Sequence, residues 1–204
     1  MIVGPIDLRA VDPWVLAAAA VLLGVLVGVA GVFGWRAWRA RRERRARAAL
    51  IGSVSLDHAR DVLVPDGNGG TLHLDYLLFT PRGLVVLEMR DAIGNVFGSD
   101  AMTEWTVMDG ARRYTFSNPQ ASLYDRIAAV KAQAGEIPVE GRVVFTRRAV
   151  FPKGLPRLAL LEDGLADELP MGERALAEQA AEPWQDAWRR LRSGLRPSRF
   201  TGVG

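Results

Sequence analysis

The chain has 204 residues, 49% of them apolar and 24% charged, with 26 basic against 23 acidic side chains and no cysteine. That balance belongs to a folded chain with a core and not to a disordered one, and its length suits one soluble domain plus an anchor. Without thiols a disulfide framework and a thiolate metal site are excluded, and with only two histidines a zinc centre is not expected.

Residues 14–35, WVLAAAAVLLGVLVGVAGVFGW, run for 22 positions without a charge. At about 1.5 Å per residue such a helix crosses the ~30 Å hydrocarbon core of a bilayer. Positive charge follows this segment instead of preceding it, which argues for a retained transmembrane helix over a cleaved signal peptide. Trp14 and Trp35 stand at its two ends, where the interfacial belt favours them. Arg36, Arg39, Arg41, Arg42, Arg44, Arg45 and Arg47 follow, against Arg9 with Asp7 and Asp12 before. The positive-inside rule then predicts a single-pass protein of the inner membrane, with a short N-terminus (1–13) outside, a basic juxtamembrane helix (36–50) and the rest in the cytoplasm. The same arginines suit lipid headgroups or a nucleic-acid backbone, but a topology signal is the simpler reading. Gly24 and Gly28, with Gly31 near the same face, suit a homodimer through close helix packing, although glycine is common in membrane spans generally and the simpler reading is no self-association.

Eight of the 26 basic and three of the 23 acidic residues fall in residues 1–47, so the remainder carries 18 basic against 20 acidic. The basic excess is juxtamembrane. The soluble part lacks the general positive charge of a tight nonspecific DNA binder, which leaves room only for a local basic groove.

A domain is expected over residues 51–161. Thr71–Thr80 alternates and then runs apolar, Pro81 and Gly83 supply a turn, and Leu84 to Leu87 is a second strand. Asp75 and Glu88 lie within these apolar runs, where a carboxylate is costly to desolvate unless a cation meets it. Gly94 and Gly98 bracket a stretch that reads as a turn. Glu104–Asp109 and residues 111–116 form a further hairpin with Trp105 in the core. Arg112 and Arg113 on it suit a nucleic-acid backbone or, more commonly, a charged sheet edge. Asn118 and Pro119 start a helix whose stripe is Leu123, Ile127 and Val130, stopped by Gly135. Residues 141–146 and 149–151 supply strands, the first parallel to the Glu88 strand, and residues 158–161 a last short one. A C-terminal helical region (162–195) carries Leu176, Ala180, Trp184, Ala187, Trp188 and Leu191 on one side, divided at Pro183. A flexible tail (196–204) ends the chain. No phosphate-binding glycine motif occurs, so no small-molecule cofactor is implied.

Asp75 followed by Glu88-Met89-Arg90 resembles the D…ExK signature of restriction-endonuclease-like nucleases. The longer string LDYLLFTPRGLVVLEMR, then Gly94, Gly98, Trp105 and Asn118-Pro119, is similar to the nuclease-related domain called NERD, over residues 54–151. The resemblance implies an α/β domain with a mixed central sheet flanked by helices, and metal-dependent phosphodiester hydrolysis of nucleic acid. Asp75 and Glu88 would hold Mg²⁺, with Arg90 in the place of the family's lysine. A guanidinium keeps the charge but cannot act as a base.

Other family positions also differ. The family's Gly-Glu before the hairpin is absent, leaving Asp57 or Asp61 to stand in. Its helix glutamine is Ser122; Gln120 is two positions off, and Arg126, one turn on, is the remaining basic candidate for nucleic acid. His73 shares a strand face with Asp75, as a ligand, a proton carrier or simply a hydrogen-bonded strand histidine. His58 is an ordinary surface or cap residue. The alternative to a nuclease is a catalytically degenerate NERD domain, tethered to the membrane and binding nucleic acid or a protein. A purely structural membrane protein would explain the anchor but not the two carboxylates.

Overall fold

The computed structural model describes residues 12–198. The segment before Asp12, expected outside the membrane, and residues 199–204 of the expected tail lie outside the described residues. The chain divides into two units, Met1–Ala48 and Ala49–Gly204.

The first unit is helical, part of α1 (Pro13–Ser53). The Asp12 carboxylate accepts the Trp14 backbone N–H at 3.1 Å and so caps the helix start. Val21, Leu22, Leu23, Val25, Leu26 and Val27 are all exposed, which presents apolar surface on every side. One stretch of the helix is long and apolar enough to cross a membrane. Arg39 and Arg42 lie over the rings of Trp35 and Trp38, each 5.7 Å from the centroid.

The second unit is a mixed α/β domain. Its elements are β1 (Asp57–Pro65), β2 (Thr71–Thr80), β3 (Gly83–Arg90), β4 (Gly94–Phe97), β5 (Glu104–Asp109) and β6 (Arg112–Ser117). Then come α2 (Pro119–Ala134), β7 (Val139–Phe145), β8 (Ala149–Val150), β9 (Ala159–Leu161), α3 (Leu165–Glu168), α4 (Arg174–Ala181), α5 (Gln185–Gly194) and β10 (Arg196–Pro197). A six-stranded sheet runs β10-β1-β2-β3-β7-β9, antiparallel as far as β3 and parallel beyond it. A four-stranded sheet runs β6-β5-β4-β8.

Apolar side chains cover both faces of the large sheet, as a sheet with parallel strands at its centre requires. On one face Leu77, Phe79, Leu84, Val86 and Val143 join Leu123 and Val130 of α2, Trp105 of β5 and Trp188 of α5. On the other, Leu78, Val85, Leu87 and Val144 meet Ile51 and Val54, at and just past the end of α1, and Leu165 of α3. Two glycines set this geometry. Gly83 has φ +118°, and a Cβ there would lie 2.4 Å from the Pro138 carbonyl oxygen, so the β2–β3 turn admits no side chain. Gly141 lets α2 approach β7, since a Cβ would lie 2.8 Å from Ile127 Cδ1 and 2.9 Å from Leu123 Cδ1.

The expected hairpins, α2, the parallel strand β7 and the break at Pro183 are present. Four details differ. Gly94–Phe97, read as a turn, is strand β4, with Val96 buried between its neighbours. Residues 57–65 form a strand that the local pattern conceals. Ala59, Val62 and Val64 all enter the α2-side core, so the alternation slips by one at Asp61, the described non-glycine residue with positive φ, +50°. In the C-terminal helices Leu176 and Ala180 are exposed while Ala177 and Ala181 are buried, because the 3₁₀ turn Glu182–Trp184 resets the phase ahead of α5. Arg196 and Pro197, expected in a flexible tail, pair with Leu63 and Val62.

Candidate active site

The site forms where β2 and β3 part. Their last ladder pair in this direction is Tyr76 with Leu87. One residue beyond, Asp75 Oδ2 accepts the Met89 backbone N–H at 2.7 Å, so a carboxylate takes the place of a ladder carbonyl. β2 changes phase here as well: Leu74 and Leu77 face one core while Tyr76 and Leu78 face the other. Asp61 and Asp75 lie opposite each other between the pairs Arg60–Tyr76 and Val62–Leu74. Such an irregularity re-aims side chains, a common device beside functional sites.

Three potential ligands converge as a result. One ligand atom each from Asp61, His73 and Asp75 lies within 4.8 Å of the others. His73 Nδ1 is 3.5 Å from Asp75 Oδ1, and its Nε2 is 3.8 Å from Asp61 Oδ1. Both separations exceed a good N–H···O bond. His73 Nε2 is a buried atom with no hydrogen-bond partner. The other oxygen of Asp61 accepts from Arg60 Nε at 2.9 Å. Two carboxylates and an imidazole make a donor set that fits a hard or borderline divalent cation, and the orphaned Nε2 leaves the imidazole a nitrogen free to serve in it.

Glu88 is placed differently. It is 3% exposed and lies beneath the first turns of α2. Arg90 Nη2 donates to Oε1, Arg126 Nη1 donates to Oε2 at 3.2 Å, and the Ser122 hydroxyl lies 3.1 and 3.3 Å from the two oxygens. Arg126 is itself fixed, with Nε donating to the His73 carbonyl at 2.7 Å and Nη1 to the Ser122 carbonyl at 2.9 Å. The desolvation of Glu88 is therefore met by two cations and a hydroxyl. Arg90 Nε is a buried donor without an acceptor, an arrangement that costs about 1–3 kcal/mol.

A model of the nuclease-related domain matches residues 39–146, over half of the 204-residue chain. The chain belongs to the NERD family. No curated protein and no solved structure matches it. NERD membership suggests nuclease-like chemistry with a metal requirement, and Asp61, His73 and Asp75 form a cluster that could hold the ion.

The structure gathers only some of the remaining predicted residues at this NERD site. Asp75, Glu88, Arg90, Ser122 and Arg126 come together. Arg112 and Arg113 are exposed on β6, the edge of the smaller sheet, and among the described residues no hydrogen bond or ion pair joins them to the carboxylates. Gln120 turns away from Glu88: it is buried, and its Oε1 accepts the Leu158 N–H at 3.2 Å. It lines a separate cleft of about 200 Å³ with Asp100, Asn118, Ala121, Tyr124 and Arg157, to which none of the site carboxylates contributes.

Of the two aspartates available to replace the family's missing acid, Asp61 reaches the site and Asp57 does not. Asp57 accepts from the Trp188 indole at 2.9 Å, from the His58 backbone N–H at 2.8 Å, and from Arg192. Burial acts to raise its carboxyl, but the Trp188, His58 and Arg192 donors outweigh that and hold it below the usual carboxylate range. Sequence reasoning left Asp57 and Asp61 as equal alternatives and missed the Ser122–Glu88 contact. The available signal for Asp61 was a carboxylate at the point where the apolar alternation of residues 59–64 slips.

Proposed function

We propose that this NERD protein is a single-pass membrane protein whose domain, on the cytoplasmic side, hydrolyses phosphodiester bonds of nucleic acid with a divalent cation. The observation that carries the reading is the convergence of Asp61, His73 and Asp75 in a chain of a nuclease-related family. Asp75 is the shared ligand, Asp61 and His73 complete the set, and Glu88 is the further carboxylate at the same strand ends. A cation held there, Mg²⁺ or Mn²⁺, supplies Lewis-acid charge and acidifies a bound water. Arg90 and Arg126 bring positive charge to the phosphate side of the site; being permanently protonated, they bind charge and do not move a proton. The membrane assignment rests on the uninterrupted apolar helix, and its orientation on the arginines that follow it. The boundaries given above for the anchor, juxtamembrane helix and domain, and helix dimerisation through Gly24 and Gly28, belong to the same proposal.

The test is cleavage of labelled DNA and RNA by the full chain in detergent, with Mg²⁺ or Mn²⁺. Hydrolysis by the wild type that disappears in a folded Asp75→Asn variant supports the reading. Unchanged cleavage in that variant would remove Asp75 from the chemistry.

A second reading has its own observation. Glu88 already has its charge met by Arg90, Arg126 and Ser122, as in a domain that binds but no longer cuts. Retained nucleic-acid binding with no hydrolysis in either metal would select it.

A further inference from the structure

The basic segment that follows the apolar stretch of α1 carries more charge than it neutralises. Between residues 36 and 47 stand seven arginines and a single acid, Glu43. Glu43 accepts from Arg39 Nε at 3.1 Å, an exposed pair one turn apart. Arg36, Arg41, Arg44 and Arg45 are exposed and, among the described residues, have no acidic partner. All lie on one continuous helix. At about 100° per residue, these four together with Arg39 and Arg42 leave it in every direction around its circumference.

Two of the six show which way the side chains lean. Arg39 lies over the Trp35 ring and Arg42 over the Trp38 ring, each guanidinium carbon 5.7 Å from the centroid. Both reach back one turn toward the apolar stretch, because a helix tilts its side chains toward its own N-terminus.

We infer that Arg36, Arg39, Arg41, Arg42, Arg44 and Arg45 form a collar that binds the phosphate groups of anionic lipids around the helix. This rests on the proposed membrane span and adds a chemical preference to it. Trp35 closes the apolar stretch, and an indole favours the boundary between hydrocarbon and headgroups. Arg36 to Arg45 then rise about 14 Å along the axis, at ~1.5 Å per residue. The backward lean brings the higher guanidiniums down toward the headgroup layer, and their long apolar stems span the difference. Each guanidinium offers a phosphate two parallel N–H donors.

The spread around the helix separates this partner from a nucleic acid. A strand or duplex approaches a helix from one side and would engage a stripe of arginines, whereas headgroups surround a span on all sides. Orientation in the membrane needs only an excess of positive charge at one end, with no demand that it encircle the helix. A zwitterionic lipid brings a cation with each phosphate and an anionic lipid does not, so arginines without acidic partners favour the anionic kind.

The experiment adds phosphatidylglycerol or phosphatidylcholine to the full chain in a neutral detergent and counts bound lipids by native mass spectrometry. Wild type should bind phosphatidylglycerol at least about tenfold more tightly than phosphatidylcholine. A quadruple variant, Arg36→Gln, Arg41→Gln, Arg44→Gln and Arg45→Gln, with its helix content checked by circular dichroism, should reduce that preference to within about threefold. Glu43→Gln removes the opposing charge, frees Arg39 and should widen it.

Equal binding of the two lipids by the wild type overturns the collar, and so does a preference that the quadruple variant keeps in full. Duplex DNA binding that the quadruple variant loses, with no lipid preference in the wild type, would make the segment a nucleic-acid site instead. Insertion is read separately, as resistance of the expressed chain to alkaline extraction from membranes. Resistant protein without a lipid preference leaves the span standing and removes only the collar. Protein that alkali releases removes both.

Discussion

Glu88 and the Asp61–Asp75 pair are carboxylates of one site, yet their environments are opposite. Glu88 is buried and closed, with both oxygens engaged by Arg90, Arg126 and Ser122. Asp61 and Asp75 flank His73 at separations of 3.8 and 3.5 Å, longer than ordinary hydrogen bonds, and one nitrogen of that ring has no partner. A carboxylate in an apolar setting needs a cation, and this fold meets the need in two ways. One acid receives its cations from the chain, and the other two form a set that a metal would complete.

The largest effect tests the closed side. Arg126→Leu leaves a buried Glu88 with Arg90 as its remaining cation, beside the Ser122 hydroxyl, and strips a donor from the His73 carbonyl. It should lower the unfolding free energy of the full chain by about 3 kcal/mol, read by urea denaturation in detergent. A change under about 1 kcal/mol would mean that Glu88 is not closed in this sense.

Next is the distance between α2 and the sheet. Gly141→Ala puts a methyl within 3 Å of Ile127 and Leu123 and should cost about 1–3 kcal/mol. Because α2 carries Ser122 and Arg126, the same variant should disturb the Glu88 pairing; an unchanged melting temperature would show that α2 yields without strain.

The open side should respond in binding and not in folding. Asp75→Asn keeps its shape and an acceptor for the Met89 N–H, so stability should move by less than about 1 kcal/mol. Mn²⁺ affinity should fall at least about tenfold by calorimetry, the scale of loss seen when even a supporting group of a metal site is removed. If instead stability collapses and binding persists, the roles assigned to Asp75 and Glu88 are exchanged.

Asp57 gives the smallest effect and serves as a control, a carboxylate satisfied by the chain but near the surface. Its folded-state pKa is depressed, so its contribution is present above the unfolded value of about 3.9 and is lost as pH falls through the lower folded value. Thermal melts below about pH 4 should show a shallow loss of stability that Asp57→Asn removes. An identical acid profile in that variant would show that Trp188 and Arg192 are held by other contacts.

The long apolar helix, the β2–β3 hairpin and α2 were legible because each is marked locally. The markers are an unbroken apolar run, strand patterning around Pro81 and Gly83, and an Asn cap before Pro119. Asp75, Glu88 and Arg90 followed from the same stretch, since two acids in apolar strands stand out. Arg126 was singled out only as one turn beyond Ser122. Strand β1, and the choice of Asp61 over Asp57, were not legible, because the strand reverses its buried face at a residue with φ +50°, and a two-residue period cannot register such a slip.

The sequence alone determined which residues had to be exceptional: an apolar helix too long for a small core, and carboxylates set in apolar strands where each needs a cation. Which acids are closed and which are open was decided only by tertiary structure. Ser122 lies 34 positions from Glu88 and Arg126 lies 38, and they meet it because α2, which connects β6 to β7, crosses the face on which Glu88 points. Periodicity and turn chemistry act over a few residues, whereas pairing across that distance follows from the order of strands in the sheet.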